Sequence, residues 1–404
     1  METQSPTVAI VGAGLTGLLT AHGLKKAGFK VVLFDREAGL DARTRDWPLS
    51  VHWALPTLKA LLSDSALAKF PQALCTPHVE YTPEIETMLC INGQSGEVMF
   101  RSQMPGMRRV TRQRLRRIMA TEFAPAIHWN KQLEKIEFNG GGDGPVRLIF
   151  ADGTTVEADY VLGADGASSK VRELLFAGGD EEVAQAKPSG FMCATGYVTH
   201  HDAAKVEPVI KLHPIAAVTV GATSNCGVAV MYADDPDDMA KWTIAWIKIW
   251  RRGKLPEPPA HKGPEALAFI KATSQDVIDP FRSQIEWTRD SDPCYIDEMR
   301  TWEPVMWETH GRVTLAGDAA HPQLVTRGQG FQHAVLDAEQ YVKALVSVRD
   351  GGVDRQEALK TYTADVVERG AKAVRQSLTE AELTMDLESV GKTLMAKQGH
   401  ARSA

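Results

Sequence analysis

Three glycines near the start of this 404-residue chain carry its first chemical signal. Gly12-Ala13-Gly14-Leu15-Thr16-Gly17 follows the β-branched run Thr7–Val11. It precedes residues 18–27, which have helical spacing and stop at Gly28. In such a turn the first glycine allows the tight bend, the second admits a pyrophosphate against the backbone, and the third lets helix and strand pack closely. The helix start offers unpaired N–H groups and a partial positive charge to the phosphate. Lys30–Phe34 is a second buried strand, and it ends in Asp35, 23 residues past Gly12. A carboxylate there accepts from ribose hydroxyls and disfavours a 2′-phosphate, so the expected nucleotide is FAD or NAD rather than NADP.

Two later stretches have the same strand-then-turn character. Residues 160–172 run through Gly163-Ala164-Asp165-Gly166 to Lys170-Val171-Arg172, a strand entering an Asp-Gly turn and a basic helix start. Residues 312–322 read Arg-Val-Thr-Leu-Ala-Gly317-Asp318-Ala319-Ala320-His321-Pro322, followed by Arg327-Gly328-Gln329-Gly330-Phe331 and, farther on, Asp337-Ala338. Asp318 ends a strand, where a carboxylate can accept a hydroxyl. Gly328 and Gly330 let the backbone turn tightly, and the helix starting near Phe331 presents unpaired N–H groups that suit a negatively charged group.

The elements that must position these groups follow from periodicity. Residues 56–70 and 113–121 read as helices, 79–110 as short strands, and 146–150 with 156–162 as a hairpin across Asp152-Gly153. The glycine run 140–144 reads as a hairpin tip. Residues 190–232 read as antiparallel strands. Trp242, Trp246 and Trp250 are spaced by four, which predicts a helix over 240–252. A buried strand at 313–316, a helix over 331–348 and further helix over 354–398 follow. A dehydrogenase completes its parallel sheet early. This chain is expected to rejoin the first sheet only after residue 310, which favours a flavin fold.

Together the three ordered motifs resemble the class A flavoprotein monooxygenases, the para-hydroxybenzoate hydroxylase-like family, over most of the chain. The resemblance implies an α/β architecture: a Rossmann-like FAD-binding domain, an inserted mixed β-sheet substrate domain and a C-terminal helical segment. The boundaries expected are 1–78, 111–185 and 301–350 for the FAD-binding domain, 79–110 and 186–300 for the substrate domain, and 351–404 for the terminal helices. It implies tightly bound FAD held by Gly12, Gly14, Gly17, Asp35, Arg36, Arg45, Arg112, Asp165, Gly317, Asp318, Gly328, Gly330 and Phe331. Arg112 matches the family's Arg-x-x-Leu helix start, although arginines at 112, 114, 116 and 117 also suit a solvated basic face. Two departures from the family stand out: Val325 where a proline is usual, and Gln332 where an asparagine is frequent.

The activity implied is oxygen insertion, by hydroxylation or epoxidation, into an aromatic or other electron-rich small molecule, in secondary metabolism. NAD(P)H reduces the flavin, O2 adds at C4a, and the hydroperoxide delivers one atom. A FAD oxidase, reductase or oxidative cyclase, or a non-catalytic redox sensor, remains compatible with the motifs. Tyr197, Tyr232, Trp287, Trp302 and Trp307 are candidates for a flat pocket wall and equally for core packing.

Composition excludes other classes. With 45 Lys+Arg against 51 Asp+Glu the formal charge is −6, which argues against a generic nucleic-acid binder. No run approaches the roughly 20 apolar residues of a membrane helix, and the first residues lack a basic signal-peptide region. Five scattered cysteines without C-x-x-C fit reduced thiols, a cytoplasmic setting and no metal site. His200 and His201 are a pair on a polar loop, and adjacent residues point apart where the chain is extended, so no metal is expected there; His321 reads as a structural loop histidine. G-x-S-x-G, H-E-x-x-H and Walker motifs are absent, and the motifs set no oligomeric state.

Overall fold

The computed structural model describes residues 5–139, 144–179 and 181–400. Residues 140–143 of the expected hairpin tip lie outside the described residues.

Thr7–Val11 lies at the centre of a five-stranded parallel sheet, between Lys30–Phe34 and Tyr160–Gly163, with Ile127–His128 and Val313–Leu315 at the edges. Its middle strands are apolar on both faces (Val8, Ala9, Ile10, Val161, Leu162), as a sheet covered on both sides requires. Leu15–Lys26 covers one face and packs on the helices Arg112–Thr121 and Gly330–Gly351. The chain rejoins this sheet at 127–128 and 160–163 as well as after residue 310, so the long interruption is shorter than periodicity suggests. The 156–162 run also divides between two sheets. Thr155–Ala158 stays in an antiparallel sheet with Leu133–Phe138 and Val146–Phe150, while Tyr160–Gly163 enters the parallel sheet. At the break, the Asp159 carboxylate accepts the Thr7 N–H at 2.8 Å.

The second large sheet has seven strands in the order Cys294–Thr301, Lys187–Thr199, Thr243–Arg251, Asn225–Tyr232, Ala216–Val220, Thr87–Asn92 and Val98–Gln103. It is mixed, because Ala216–Val220 runs parallel to Thr87–Asn92. Helices Gly263–Ala272 and Phe281–Glu286 pack on its back face against Met192, Ala194, Ile244, Trp246 and Trp250. The expected helix over 240–252 is therefore the strand Thr243–Arg251. Spacing by four satisfies a period of two as well as 3.6, and the alternation Ile244, Trp246, Trp250 against Ile247 and Ile249 settles it as strand. Lys248 is tolerated inside this strand because its ammonium meets the Thr273 carbonyl, the Thr273 hydroxyl (3.2 Å) and the Ser274 hydroxyl (2.9 Å) at a helix C-terminus.

The 56–70 helix is two, Leu55–Leu61 and Asp64–Lys69, parted where the Ser63 hydroxyl accepts the Ala66 N–H. The expected terminal helix is Arg355–Thr384, which starts at Asp354 as N-cap, and a separate short helix, Leu394–Gln398. Among the described residues no helix is long and apolar enough to cross a membrane.

Trp250 is fully buried against Phe269. Trp250→Ala is expected to cost about 3–5 kcal/mol of stability. Urea unfolding measures the loss, and flavin content per folded molecule stays unchanged because the site lies on the other face of the sheet.

Candidate functional site

The glycine turn is built by close approach. Gly12 has φ +108°, and a Cβ there would lie 2.3 Å from the Ala164 carbonyl oxygen, so the first motif's turn rests on the backbone of the second motif. A Cβ on Gly17 would stand 2.0 Å from the Gly12 carbonyl oxygen. Gly14, in contrast, has nothing within 4 Å of that position, and it forms the N-terminal boundary of the helix Leu15–Lys26. An open face at a helix N-terminus fits a phosphate group. Asp35 accepts the Ala13 N–H at 2.8 Å and the Glu37 N–H at 2.9 Å, which ties the strand-end carboxylate to the turn.

The third motif reaches the same region. Gly317 has φ +62°, and a Cβ there would lie 2.6 Å from the Thr16 hydroxyl of the first helix. Its N–H donates to Asp337 Oδ2 at 2.7 Å. Asp337 also pairs with His321 Nε2 (2.7 Å) and Arg369 (2.8 Å). Burial pushes its carboxyl up, but the two bases and the hydrogen bonds outweigh this and hold it well below the usual range. His321, fully buried in this cluster, is a loop-fixing residue. The neighbouring Asp318 behaves differently. Asp318 is exposed to solvent although much protein surrounds it; desolvation raises its carboxyl, opposed by His321 and Arg112. Gly330 stands beside it, with its Cβ position 3.8 Å from Asp318 Oδ1, at the start of the helix Gly330–Gly351. Gly328 closes the short turn Val325–Arg327, and Phe331 packs half-buried on the parallel-sheet core.

Arg112 faces Asp318 from a third direction. It lies over the Trp47 ring (5.1 Å), and its Nη1 is buried without a hydrogen bond. Burial, with Arg43 and Arg116 nearby, lowers it to about 10. Its helix is anchored by Gln113, whose N–H donates to Asp46 Oδ1 (2.9 Å) and whose side-chain amide donates to the Arg43 carbonyl (2.8 Å). Gly14, Arg112 and Asp318 thus belong to one region: Arg112 faces Asp318, Gly317 abuts Thr16, and Arg116 holds the Ala13 carbonyl. The basic run is not a solvated face: Arg116 is buried and donates to the Ala13 carbonyl (2.8 Å) and to Glu37 (3.2 Å). Sequence reasoning missed Arg116, although its position one helical turn from Arg112 is the signal.

Other expected residues lie elsewhere. Arg36 is exposed. Arg45 spans to the seven-stranded sheet, pairing with Asp297 (2.5 Å) and Thr195 (3.1 Å) over the Tyr295 ring. Asp165 caps the helix Lys170–Leu175: Ser169 (2.5 Å) and the Lys170 N–H (2.7 Å) donate to it. Arg172 links that turn to the third motif through the Ala319 carbonyl (2.9 Å). Gln332, one of the departures, is fully buried and fixes the loop after Pro48–Val51 by donating to the Ser50 carbonyl (2.7 Å) and accepting from His52 N–H (3.3 Å).

The aromatic candidates separate. Tyr197 and Tyr232 lie on the front of the seven-stranded sheet and direct their hydroxyls to the Thr44 carbonyl (3.5 Å) and Asp46 (2.6 Å). Trp287 is a correction: it ends the helix Phe281–Glu286 behind the sheet, against His200 and Lys205. So are Trp302 and Trp307, which pack in the parallel-sheet core, with Trp302 under Arg172. Each indole N–H there has an internal acceptor, so these rings are structural. Three histidines not anticipated, His52, His333 and His400, are buried near the third-motif loop and held neutral by desolvation, at about 4, 3 and 3.

Comparison with known proteins gives a consistent picture. The model of the family described as FAD binding domain matches residues 5–377. The FAD-dependent monooxygenase phnB of Penicillium herquei is 28% identical over 402 residues, 99% of this chain and 96% of the relative. The 6-hydroxynicotinate 3-monooxygenase of Pseudomonas fluorescens is 24% identical, covering 93% of this chain and 91% of that one. Among solved structures, Klebsiella pneumoniae HpxO complexed with FAD and uric acid superposes with a TM-score of 0.76 at 19% identity, over 97% of this chain and 92% of that chain.

Two outcomes follow from this geometry. Gly14→Val fills open space and is expected to leave a folded, colourless protein, whereas Gly17→Val meets backbone and is expected to lose the fold. Asp318→Ala is expected to weaken FAD binding by roughly ten- to a hundredfold, the worth of a hydrogen bond to a charged group. Absorbance near the flavin maxima and circular dichroism check all three. The neutral histidines set a pH response. The unfolded chain takes up protons below about 6.5 that the folded one refuses, so stability falls from about pH 6.5 towards 4. Each histidine contributes roughly 1.4 kcal/mol per pH unit. Urea midpoints at several pH values measure it, and His333→Phe flattens the slope.

Proposed function

We propose, from the premise that this chain belongs to the family described as FAD binding domain and is an FAD-dependent monooxygenase, that it uses NAD(P)H and O2 to place one oxygen atom on an aromatic or other electron-rich small molecule of secondary metabolism. The observation that carries this reading is that the segments bearing Gly14, Arg112 and Asp318, far apart in the chain, are held together in one region.

The residues present fit the cofactor. Gly14 leaves room at a helix N-terminus, Arg112 has a buried donor without a partner, and Asp318 offers an accessible carboxylate. In this assignment Gly12, Gly14 and Gly17 with the helix Leu15–Lys26 hold the pyrophosphate, Asp35 accepts from the ribose, Arg112 donates to the phosphate or ring edge, and Asp318 accepts from the ribityl chain. Gly328, Gly330 and Phe331 set the helix start that favours negative charge on the reduced ring. Bound there, FAD supplies electron transfer from a nicotinamide and the activation of O2.

The chain's own residues have the remaining tasks. The front of the seven-stranded sheet, with Tyr197 and Tyr232, gives flat surface for a ring. Arg45–Asp297 and Arg114–Asp234 (2.6 Å) tie that sheet to the cofactor side, holding the seam closed and limiting water. The aromatic substrate class is supported by the name of the 6-hydroxynicotinate 3-monooxygenase relative, and the monooxygenase reaction by the names of the fungal relatives.

The experiment is a screen of phenolic and polyketide-like aromatics read by NAD(P)H oxidation, with 18O2 on each hit. One labelled oxygen atom per product is expected. Turnover without label would falsify the monooxygenase chemistry in favour of an oxidase or cyclase.

A further inference from the structure

A two-stranded ribbon links the cofactor side to the seven-stranded sheet. Pro48–Val51 pairs antiparallel with Arg108–Thr111, with Ser50 opposite Arg109, and Arg108–Thr111 runs directly into the helix that carries Arg112. The Ser50 carbonyl accepts from Gln332 Nε2 (2.7 Å), which ties the ribbon to the start of the helix Gly330–Gly351. Leu49, Val51 and Val110 pack into the parallel-sheet core. Side chains alternate along a strand, so Ser50 and Arg109 leave the ribbon by its other face. There Arg109 meets Tyr81, whose ring packs with Met104, Met107, Ile215, Ala216 and Ala229, the last two on strands of the seven-stranded sheet.

Arg109 is a cation to which its surroundings offer no anion. Cys75, Tyr81 and His213 face it. Burial pushes the Cys75 thiol up to about 12 and raises Tyr81, while burial, with Arg101 and Arg109, lowers His213 to about 4, so all three are neutral near pH 7. His213 Nδ1 accepts the Ile215 and Ala216 N–H groups (3.1 Å each), which leaves no lone pair there for a guanidinium. Asp46 is taken up by Gln113 and Tyr232, Glu86 by Arg108 (2.9 Å) and Asp234 by Arg114 (2.6 Å). Among the described residues no carboxylate lies within ion-pair distance of Arg109. Its Nη1 donates to Ser50 Oγ (3.1 Å), and its Nε has no partner. Its Nη2 makes no hydrogen bond and is not sealed from solvent, and the residue as a whole is half-buried. Ser50 Oγ accepts from Arg109 and keeps its own proton to donate.

We infer that Arg109 anchors a carboxylate of the substrate at the open edge of its guanidinium, with the Ser50 hydroxyl as a second donor. The inference rests on the monooxygenase reading for what occupies the site. The ligand class is an aromatic carboxylic acid, ionised at neutral pH. One carboxylate oxygen accepts from Nη2 and the other from Ser50 Oγ–H, a charge-assisted contact of the strong kind. Methionine and alanine side chains around Tyr81 give the ring an apolar floor. The acid is held and oriented, and no bond is made or broken at Arg109. Discrimination arises because a neutral amide in its place leaves a poorly hydrated cation uncompensated.

The test titrates the FAD-loaded full chain with 2-naphthoate and with 2-naphthamide, following the flavin absorbance. Wild type is expected to bind the acid at least tenfold more tightly than the amide. Arg109→Met reduces that preference below threefold at unchanged FAD content, while Arg109→Lys, which keeps the charge, retains part of it. Ser50→Asp supplies Arg109 with a carboxylate of its own and abolishes the preference without removing the cation. Stability separates a ligand anchor from a structural cation. Without ligand, Arg109→Met is expected to keep or raise the urea midpoint, because a cation lacking an anion adds nothing to the fold. A clear fall in that midpoint overturns the inference. So does equal binding of the two probes by wild type, no response to either, or a preference that survives both Arg109→Met and Ser50→Asp. Oxygen labelling keeps the two readings apart. Labelled product without carboxylate preference removes this site and keeps the monooxygenase, and carboxylate preference without labelled product does the reverse.

Discussion

Asp337 carries a charge with no access to water, and the arrangement of the site depends on how that charge is satisfied. One oxygen takes the Gly317 N–H and His321, and the other takes Arg369. Removing one partner of such a buried pair costs about 3–5 kcal/mol, because the remaining charge is left uncompensated. The same carboxylate therefore does three things at once. It sets the Gly317 turn against Thr16, which presents Asp318 to solvent. It keeps His321 inside the loop. Through Arg369 it also fixes the helix Arg355–Thr384 to the cofactor side. The end of that helix launches the segment that crosses the seven-stranded sheet, so the Asp337–Arg369 contact helps to decide where His400 arrives.

The seam between the two large sheets combines charge and hydrogen bonds with one small apolar cluster, in which Phe191 and Ile249 of the seven-stranded sheet meet Leu324 and Ala381. Asp46 is the clearest case. It takes the Gln113 N–H from the helix Arg112–Thr121 and the Tyr232 hydroxyl (2.6 Å) from the seven-stranded sheet. Arg45 and Arg114 cross the same seam to Asp297 and Asp234. Such contacts keep direction but bury little apolar area, and half-exposed ion pairs contribute little stability each. A seam of this kind suits an enzyme that must close around one molecule and then release it.

What is legible in the sequence is local. The Gly12–Gly17 turn and the Gly317–Asp318 turn each lie within one strand-to-helix junction, where a few residues determine the backbone, and their elements agree with the structure. Non-local features are not legible. Trp242, Trp246 and Trp250 satisfy helix and strand periods equally, and only the neighbouring strands make them a sheet face. The 156–162 run looks like one strand because nothing local marks Asp159 as the point where Thr7 takes its carboxylate. Trp302 looks like a pocket wall, yet Arg172, 130 residues earlier, packs over it. His52 and His400 carry no motif and are separated by almost the whole chain.

This division follows from what each part must recognise. The cofactor is the same for every relative, so its holder is built from backbone turns and helix starts, which repeat as short sequence patterns. A substrate differs between relatives and is met by side chains that the fold brings together from distant places, so no spacing announces it. In this chain the contrast is direct. Gly14 and Asp318 can be found by reading, whereas the contact of His52 with His400 exists only because a buried carboxylate, an ordered terminal helix and a glycine at the sheet edge deliver position 400 to position 52. Residues that discriminate among substrates are therefore to be sought where distant segments meet, and there the third motif itself is silent.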